Sequence, residues 1–451
     1  MTIQLPEHVK SILYTLEHAG FEAFAVGGCV RDSLLDRTPD DWDITTSALP
    51  HEVKALFRRT IDTGIEHGTV TVMMEKEGYE VTTYRIDGEY EDSRHPKEVS
   101  FTSNLSEDLK RRDFTINAMA YNDRTGIVDL FGGMEDLKAG LIRAVGNPHE
   151  RFSEDALRMM RAVRFSAQLG YEIERETKEA IGELAATIQN ISAERIQVEL
   201  VKLVTSPHPD RMRDLYQTHL TKYILPEFDR IMKTPQNHPH HCYSVGEHTI
   251  HAMEQINPDK ILRLAALLHD IGKPLVRSVD EAGIDHFHGH AERSKELAHD
   301  ILRRLKFDND TIRTVSSLVL YHDRRIEPRK KTVRRAVNLI GEDLFPLLLA
   351  VQRADILAQS DYMRKEKLEN LSAAEELYQE IAANHECVSL KTLAVTGSDL
   401  IALGMKPGKQ IGETLHQLLE LVLEDETLNT KETLLAQAKQ SYFNTSSSRK
   451  A

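Results

Sequence analysis

Cysteine is scarce in this chain of 451 residues: Cys29, Cys242 and Cys387 are the three present, and they lie far apart. They form neither a Cys-x-x-Cys pair nor the dense, even set of a secreted disulfide framework. Long apolar runs are missing as well. No segment approaches the roughly 20 apolar residues that cross a bilayer, and the first residues, MTIQLPEHVKSIL, carry no basic leader. We therefore expect a cytoplasmic protein without a membrane partner.

Positive charge and aromatic residues are also in short supply. The 57 lysines and arginines are outnumbered by 71 aspartates and glutamates, which gives a net charge of −14, and aromatic residues make up 6% of the chain. This composition excludes binding to nucleic acid through overall positive charge. It also argues against stacking of bases along a single strand. Any RNA partner must meet local basic patches, and recognition of a folded RNA by its shape is the expected mode.

The pattern of strands and helices changes along the chain. The length suggests about three domains. Residues 21–147 contain short β-branched segments, among them GTVTVMME and YEVTTYR, which alternate with helical runs and predict an α/β domain. From Ser153 onward nearly all of the periodicity is helical, with breaks at prolines. The predicted fold class is therefore α+β, with an α/β domain followed by helical domains.

The segment VGGCVRDSLLDRTPDDWDITT combines two features. Gly27 and Gly28 lie between a predicted strand and a predicted helix, where backbone amides can approach a phosphate, and Arg31 lies one turn into that helix. Asp41 and Asp43 come at the start of the next predicted strand, and their spacing of two should direct both carboxylates to one face. Such a pair fits divalent metal and two-metal phosphoryl transfer. The alternatives are a simple tight turn and a solvated strand end.

Further polar groups follow in the same region. Glu80, on a neighbouring predicted strand, is either a third carboxylate of the metal site or an exposed strand residue. In LKRRDFTINAMAY, Arg112 could clamp a triphosphate through two hydrogen bonds. Asp113 or Asn117 could bind a ribose hydroxyl, although Asp113 also fits a helix N-cap. The segment DLFGG, residues 129–133, predicts a loop or strand end that positions the sheet.

The stretch EDALRMMRAVRF places one carboxylate and three guanidiniums at intervals of three on a predicted helix. Asp155, Arg158 and Arg161 line one side of a helical wheel, apart from an apolar face around Met159. The ordinary explanation is an i,i+3 ion pair. Alternatively, Asp155 accepts from an exocyclic amine while Arg158 donates to the base, which would select cytosine and adenine over uracil and guanine. Arg161 and Arg164 would then bind phosphate or hold Asp155.

Seven motifs carry a family resemblance. VGGCVRD, DWDITT, YRIDGEYEDSRHPKEVSF, RRDFTINAMAY, DLFGG, EDALRMMRAVRF and SAERIQVEL occur in this order and resemble the class II tRNA nucleotidyltransferase and poly(A) polymerase family. The resemblance covers roughly residues 20–230 and implies the nucleotidyltransferase fold of DNA polymerase beta. It implies that Asp41 and Asp43 bind catalytic Mg²⁺, and that Asp155 and Arg158 act as a protein template for the base. The other implied nucleotide contacts are Gly28, Arg31, Arg112, Arg161 and Arg164. We expect ERIQVEL to be a helical brace.

The resemblance also bears on which nucleotides are added. Relatives that add only CC lack a flexible loop before the Arg-Arg-Asp motif, whereas the segment DGEYEDSRHPK, residues 87–97, is present here. This argues against a CC-only enzyme. It leaves open a full CCA-adding enzyme, an A-adding enzyme and a poly(A) polymerase.

A second set of polar residues lies in the helical part. LRLAALLHDIGKP places an adjacent His-Asp at the end of an apolar helix, where uncompensated polarity is costly. The order of these residues resembles the HD phosphohydrolase superfamily and implies a divalent metal site. The implied ligands are His248, His269, Asp270 and Asp355, with His290 and His322 as the additional ligands of two-metal members. The metal is open among Mn, Ni, Fe and Mg, and the alternative is an inactive helical scaffold.

Two segments are candidates for contacts with RNA. YHDRRIEPRKKTVRR, residues 321–335, is the densest basic stretch and could follow a phosphate backbone, or else form a solvated helix face. LGMKPGKQIG, residues 403–412, resembles the tail of Gram-positive-type members, and the helix after its glycine turn could contact tRNA phosphates.

The sequence thus predicts an enzyme that adds CCA to the 3′ end of tRNA from CTP and ATP and releases pyrophosphate. The predicted domains are a nucleotidyltransferase head at 1–147, a neck for base and RNA binding at 148–234, an HD-type metal domain at 235–365 and a tRNA-binding helical tail at 366–451. Two other classes are a phosphohydrolase that uses the HD site alone, and a non-catalytic RNA-binding module. The presence of Asp41 and Asp43 argues against the module. The oligomeric state stays open.

Overall fold

The computed structural model describes residues 2–88 and 99–448. The chain divides into two compact units. The first comprises Met1–Asp229 with Arg304–Lys306, and the second comprises Arg230–Arg303 with Phe307–Ala451. Strands are concentrated in the first unit, whereas the described part of the second is almost wholly helical. The chain is therefore a mixed α and β protein, as predicted. The finer four-domain division stays a prediction.

A mixed seven-stranded sheet forms the centre of the first unit. The strands of this unit are β1 Ala23–Val26, β2 Ile44–Thr46, β3 Thr60–Gly64, β4 Thr69–Met74, β5 Glu77–Thr83, β6 Arg85–Asp87, β7 Val99–Phe101, β8 Met119–Asn122, β9 Gly126–Asp129, β10 Leu141–Ile142 and β11 Glu172–Ile173. The order in the large sheet is β3-β4-β5-β2-β1-β8-β9. Only β2 and β5 run parallel to each other there, and every other neighbouring pair is antiparallel.

Helices surround this sheet and continue beyond it. They are α1 Glu7–His18, α2 Gly28–Leu34, α3 Pro50–Leu56, α4 Leu105–Lys110, α5 Gly133–Ala139, α6 Pro148–Glu154, α7 Leu157–Leu169, α8 Arg175–Leu184, α9 Ala193–Val204, α10 Met212–Gln217, α11 Thr221–Ile224 and α12 Pro226–Met232. The boundary between the two units falls within α12. The first helix shows why such segments fold: it buries Val9, Ile12, Leu13 and Leu16, whose spacing places them on one helical face.

The register of β2 against β5 places the predicted carboxylates together. Ile44 lies opposite Val81 in this parallel pair. Asp43 precedes Ile44 and Glu80 precedes Val81, so the register carries Asp43 and Glu80 to the same level. Strands β1 and β2, in the middle of the sheet, are buried along their whole length. Their packing holds the start of β2 in place.

Four strands predicted from β-branched segments are confirmed as β1, β2, β4 and β5. Three strands of the sheet, β3, β8 and β9, did not stand out in the sequence. Strand β8 lies in the segment that was interpreted for its Arg-Arg-Asp motif. Strand β9 ends at Asp129, the first residue of DLFGG. The loop at 87–97, on which the argument against a CC-only enzyme depends, falls largely within residues 89–98, outside the described residues.

The second unit is built from helices and one small strand pair. Its helices are α13 Val245–Glu254, α14 Lys260–Leu268, α15 Lys273–Val276, α16 His290–Arg304, α17 Asn309–Tyr321, α18 Lys330–Ile340, α19 Phe345–Ala358, α20 Arg364–Ala383, α21 Gly397–Ala402, α22 Lys409–Glu424 and α23 Lys431–Ser448. The strands β12 Ser278–Val279 and β13 Asp285–His286 form an antiparallel pair.

Helix α14 is the buried helix of this unit. It buries every residue from Leu262 to Leu268, which confirms that the His-Asp pair follows a buried apolar run. Its C-terminal neighbours His269 and Asp270 are each 1% exposed. None of the described helices is long and apolar enough to cross a membrane.

Candidate active site

Asp41 and Asp43 lie in the segment just before β2, beside Glu80 on β5. The strand begins at Ile44, so both aspartates lie outside the strand in which the sequence placed them, Asp43 by one residue and Asp41 by three. Burial raises the pKa of Asp43, and the charges of Asp41 and Glu80 raise it further. Arg112 acts in the opposite direction. The three carboxylates are therefore close enough to repel one another, which fits residues that would hold a divalent cation.

These carboxylates do not form a tight ligand cluster by themselves. Among the described residues, the groups of three or more potential ligands whose atoms all lie within 4.8 Å of one another are in the second unit. The side chains of Glu80, Asp41 and Asp43 are accessible to solvent, although the protein around Asp43 excludes enough water to raise its pKa. An ion here would therefore have to complete its coordination with water or with a bound phosphate, as Mg²⁺ usually does.

Gly27 forms a tight turn between β1 and α2. Its φ of 86° is in the left-handed region that favours glycine. A Cβ at this position would lie 2.9 Å from Nη1 of Arg112. The backbone conformation thus requires glycine, and an added Cβ would also displace the guanidinium of Arg112. The predicted Gly-Gly turn is confirmed, and the structure brings the predicted triphosphate clamp against it.

Arg31, Asn117, Asp113 and Arg161 form a continuous chain of hydrogen bonds. Arg31 donates to Oδ1 of Asn117 at 2.7 Å, and Asn117 donates to Oδ1 of Asp113 at 3.2 Å. Arg161 donates from Nε to Oδ2 of Asp113 at 2.8 Å. Asp32 accepts two bonds from Arg31 at the other end. Asp113 and Asn117 therefore position two arginines, and a ribose contact from either stays a prediction.

The charge state of Asp113 follows from this chain. Its side chain is 8% exposed. Burial acts to raise the pKa of Asp113, but the charges of Arg161 and Arg158 outweigh it and lower the pKa to about 2. The carboxylate is therefore ionised at neutral pH and holds Arg161 in place.

Asp155 lies at a break between α6 and α7, with the extended values φ −138° and ψ 104°. Helix α6 ends at Glu154, and α7 begins at Leu157. Oδ1 of Asp155 accepts from the backbone N of Leu157 at 3.0 Å, so it caps the start of α7. The prediction that Asp155 shares a continuous helix with the arginines is therefore wrong. Its short polar side chain stabilises the break instead.

The structure gives Asp155 and Arg158 partners other than each other. Arg158 donates to Oε2 of Glu154 at 2.6 Å. Nη2 of Arg195, on α9, donates to Oδ2 of Asp155 at 2.7 Å. The expected i,i+3 ion pair between Asp155 and Arg158 is therefore wrong. The break between α6 and α7 removes Asp155 from the helical spacing that would bring the two side chains together. Each member of the predicted template is held by a different, oppositely charged neighbour.

Asp155 and Arg158 nevertheless line one pocket of about 250 Å³. The residues that line it are Arg111, Arg112, Asp113, Asp155, Leu157, Arg158, Arg161 and Arg195. Five guanidiniums and two carboxylates thus face one small space. The guanidiniums can donate hydrogen bonds to an anion, and the carboxylates can accept hydrogen bonds from an amine. Recognition of a nucleotide requires both.

Arg164 has a different environment from the other predicted nucleotide contacts. It is 6% exposed and donates to Oε2 of Glu199 at 2.5 Å. Its guanidinium lies 3.8 Å from the ring centroid of Phe165, which Arg31 and Arg161 also approach, at 5.0 and 5.4 Å. Arg164 is not among the residues that line the pocket. Its observed contacts are with the protein, and a contact with nucleotide stays a prediction.

Helix α9 is the brace expected from the motif ERIQVEL. It packs against α7, and two of its charged residues reach functional positions, Arg195 at Asp155 and Glu199 at Arg164. Sequence reasoning named the motif but missed these two residues. Their spacing of four on one helix was the available signal, since it places both on the face that meets α7.

Two further expectations for the first unit and the tail have clear outcomes. Asp129 accepts backbone hydrogen bonds from Phe131, Gly133 and Met134, which confirms that DLFGG is a positioning loop.

The tail contains the expected glycine turn before α22, with Gly404 and Gly408 at positive φ. A contact between that helix and tRNA stays a prediction.

The basic stretch at 321–335 is largely used within the second unit. Lys330 pairs with Glu380 and Glu386, Lys331 and Arg335 pair with Glu424, and Arg334 pairs with Glu386. Arg334 is 5% exposed. These ion pairs tie α18 to neighbouring helices, so this part of the stretch is structural rather than free to follow a phosphate backbone. The sequence could not reveal this, because the acidic partners lie 50 to 90 residues away.

A cluster of histidine and aspartate forms in the second unit around Asp270. Oδ2 of Asp270 lies 3.2 Å from Nε2 of His269 and 3.6 Å from Nε2 of His248. Oδ1 lies 3.4 Å from Nε2 of His290 and 3.5 Å from Nε2 of His322. Asp355 approaches Nε2 of His248 at 2.9 Å. The six residues predicted from the second motif set are thus brought together: five form two groups that share Asp270, and Asp355 joins them through His248.

The four imidazoles make the same kind of contact with the backbone through Nδ1. Nδ1 of each ring lies within hydrogen-bond distance of a backbone carbonyl: Ala358 at 3.3 Å, Ala266 at 2.7 Å, Phe287 at 2.9 Å and Val319 at 2.7 Å. A carbonyl only accepts, so Nδ1 carries a proton, and Nε2 of each ring is directed toward Asp270. This outer contact is the usual one for histidine ligands of a metal. The donor set therefore fits divalent metal.

Comparisons with known proteins agree with the fold and the site. The poly(A) polymerase head domain family matches residues 23–143. A family described as an RNA- and SrmB-binding site of polymerase A matches residues 170–232, and tRNA nucleotidyltransferase domain 2 matches residues 281–438. The fold and these matches define a nucleotidyltransferase of the polymerase beta type.

Relatives over the whole length identify the family. A CCA-adding enzyme of Pediococcus pentosaceus is 37% identical over 95% of this chain and 96% of that protein. One of Levilactobacillus brevis is also 37% identical, with the same coverage. The crystal structure of the Bacillus stearothermophilus CCA-adding enzyme in complex with CTP superposes with a TM-score of 0.73 at 29% identity, covering 99% of this chain and 100% of that one. The chain belongs to the family of CCA-adding enzymes.

Proposed function

We propose that this protein adds C, C and A to the 3′ end of tRNA, with CTP and ATP as substrates and pyrophosphate as the product. The observation that carries the proposal is the pocket in which Asp155 and Arg158 face the same space as Arg112 and Arg161. A carboxylate and a guanidinium side by side can select a base with an amino group next to an acceptor nitrogen. Cytosine and adenine share that pattern, so one site serves both nucleotides.

We propose that Asp41 and Asp43, with Glu80, hold Mg²⁺ in the first unit. The raised pKa of Asp43, due to burial and then to Asp41, is the sign of carboxylates that lack a neutralising cation. When bound, Mg²⁺ supplies charge stabilisation for the phosphates of the nucleotide in an in-line displacement. The register supports this donor set, because Asp43, just before β2, is level with Glu80 on β5, and Asp41 lies two residues before Asp43.

The chain's own residues bind and orient the reactants. Arg112, next to the Gly27 turn, and Arg31 are placed for the triphosphate, while Asp155 and Arg158 orient the base. The 3′ oxygen of tRNA forms a bond to the α-phosphorus, and the bond between the α-phosphorus and the bridging oxygen breaks to release pyrophosphate. Positioning and charge stabilisation account for most of the catalysis in reactions of this type.

An extension assay tests this function. Purified protein with Mg²⁺ is incubated with tRNA ending at the discriminator base, with tRNA-C and with tRNA-CC, each with CTP, ATP or both. The expected result is growth of the discriminator-ended tRNA by CCA, with a stop after A. Asp41→Asn should lose extension of all three, whereas an exposed control such as Asp62→Asn should retain it.

The other outcomes of the assay separate the alternatives. Growth of tRNA-CC alone by one A would make this an A-adding enzyme, and long A tails would make it a poly(A) polymerase. A stop after CC with both nucleotides present would contradict the argument from the loop at 87–97. No growth of any substrate would overturn the assignment of the first unit.

A second function is supported by the cluster around Asp270. We propose that His248, His269, Asp270 and Asp355 hold one divalent metal, and that Asp270 with His290 and His322 holds a second. When bound, such metals supply an activated water that can attack a phosphoester. The supporting observation is the convergence of four Nε2 atoms on one buried carboxylate.

Metal binding tests the second function separately from tRNA extension. Equilibrium dialysis with Mn²⁺ should find two ions that are lost in Asp270→Ala, because this residue is shared. Asp355→Ala should lose one of them. Retention of both ions by Asp270→Ala would contradict the shared site, and extension of tRNA should be unchanged in either variant.

A further inference from the structure

Two arginines of the basic stretch at 321–335 differ in their ion pairing from the cations at 330–335. Arg324 and Arg325 are exposed, and the part of the chain that the structure describes supplies no ion pair to either. Both line a cavity of about 620 Å³ that is also lined by His322 and Asp355, two of the proposed metal ligands. This volume lies within the usual range of small-molecule sites, roughly 300–1,000 Å³.

Lys367 is the third cation of this cavity. It is half-buried, and its Nζ contacts two neutral acceptors, Oε1 of Gln359 and Nδ1 of His240, the latter at 3.1 Å. Burial lowers the pKa of Lys367, and the charge of Asp355 acts in the opposite direction without outweighing it. Gln359 in turn donates to both oxygens of Asp355 at 3.1 Å. A hydrogen-bonded path therefore joins Lys367 to a proposed metal ligand.

Acidic residues line the cavity too, but most of them have partners. The observed contacts join Asp355 to His248, Asp323 to His290 and Glu327 to Arg329. Among the described residues of the wall, two exposed carboxylates, Glu366 and Asp323, remain beside three cations that have no carboxylate partner. Cations held near a cavity without their own counter-charge favour an anionic ligand.

We propose that this cavity binds a small ligand with two phosphate groups. One phosphate lies next to His322 and Asp355, within reach of Lys367, and the other is held by Arg324 and Arg325. A ligand of this class, such as a nucleoside 3′,5′-bisphosphate, uses both ends of the cavity, whereas a monophosphate uses one. The inference rests on the second function proposed above and specifies which phosphoesters that site prefers.

Direct binding measurements test the proposal. The full-length protein carries Asp155→Ala, which removes a base contact of the first unit, and Mn²⁺ is present. Adenosine 3′,5′-bisphosphate should bind at least about tenfold more tightly than adenosine 5′-monophosphate, since two charge-assisted hydrogen bonds are added. Replacing both Arg324 and Arg325 with Ala should remove most of this advantage and leave the monophosphate affinity unchanged. Lys367→Met should weaken both ligands.

A matched control and a separate measurement complete the test. Arg335→Ala removes an exposed cation of the same stretch that pairs with Glu420 and Glu424, and it should leave both affinities unchanged. Equal affinity for the two ligands, or an advantage preserved without Arg324 and Arg325, would overturn the proposal. Failure of the second function would appear differently, as bisphosphate that binds with this selectivity but is not hydrolysed.

Discussion

Arg161 donates a hydrogen bond from Nε to Oδ2 of Asp113 at 2.8 Å, and its Nη2 lies 2.6 Å from the same oxygen. The other oxygen of Asp113 is left to Asn117 and to the backbone N of Phe114. Both oxygens of this buried carboxylate are thus occupied, and one arginine of the pocket is fixed by protein contacts before any nucleotide binds. Several expected outcomes depend on this arrangement and on its neighbours.

Asp113→Asn should destabilise the first unit while preserving the shape of the side chain. The amide cannot neutralise Arg161, so a guanidinium is left without its counter-charge in a nearly buried site. We expect a loss of about 2 kcal/mol in the free energy of unfolding and at least tenfold lower tRNA extension. Urea unfolding and single-turnover extension measure the two effects. Asp62→Asn, which removes an exposed partner of Lys54, is the control and should cost less than about 1 kcal/mol. Equal losses in both variants would contradict the role given to Asp113.

The same carboxylate should make stability depend on pH in acid. Its pKa is lowered to about 2 in the folded protein, against an ordinary value of 3.8. The unfolded state therefore takes up the proton first as pH falls, so the contribution is fully present above about pH 4 and is lost toward pH 2. The difference in unfolding free energy between wild type and Asp113→Asn should shrink by about 2 kcal/mol between pH 4.5 and 2. A difference that stays constant over this range would show that the charge of Asp113 does not contribute.

Arg195→Ala should impair selection of the base more than folding. Without Arg195, the carboxylate of Asp155 keeps its bond to the backbone of Leu157 but loses the ion pair that fixes its second oxygen. We expect kcat/KM for CTP and ATP to fall about tenfold, with increased incorporation of UTP. Arg195→Lys should recover part of the loss. Arg175→Ala, an 85%-exposed residue paired with Glu179, should behave as wild type, and unchanged selectivity in Arg195→Ala would count against a positioning role.

The two parts of the basic stretch should respond differently to substitution. Arg334→Ala removes a 5%-exposed partner of Glu386 and should cost about 3 kcal/mol in the unfolding of the second unit. Lys331→Ala removes a half-exposed ion pair and should cost less than about 1 kcal/mol. Neither should change the salt dependence of tRNA binding, because neither cation is free for phosphate. A shallower salt slope in Lys331→Ala would restore the idea that this stretch follows the RNA backbone.

Substitution of Gly27 tests separately its backbone conformation and its closeness to Arg112. Gly27→Ala forces an L side chain into a left-handed conformation and places its Cβ against Arg112. We expect a loss of more than about 1 kcal/mol in stability together with a raised KM for both nucleotides. Gly126→Ala also has positive φ, but no atom lies within 4 Å of its added Cβ. It should show the stability loss alone, so a normal KM in Gly27→Ala would mean that Arg112 does not contact the nucleotide.

Sequence patterns predicted the site where its chemistry is local. The Gly27 turn and the His269 and Asp270 pair each lie within a few residues, and turn chemistry or periodicity was enough to place them. The alternation that placed Asp41 and Asp43 on a strand did not hold, because the strand begins at Ile44. The predicted helix through Asp155 failed because an aspartate fits the spacing of a helix as well as the cap of the next one. The second partner of the Asp155 side chain, Arg195, lies forty residues away and could not be read from the local pattern.

Long-range ion pairs account for the rest of what the sequence left undetermined. The charge of Arg334 reads as part of a basic patch until its partner Glu386 is known, and Arg164 reads as a ligand contact until Glu199 is placed beside it. Composition reports how many charges there are, but only the fold reports which of them are already neutralised. The free cations of the second unit could be recognised only after the paired ones had been removed from the count.

The division of the chain near Asp229 also has a consequence for how this protein changes over generations. The pocket around Asp155 draws all of its residues from the first unit, and the cluster around Asp270 draws all of its residues from the second. A substitution that disables one set leaves the other chemically intact. Natural selection can therefore retain, refine or discard either chemistry independently, and a lineage could lose the histidines while still maturing its tRNA.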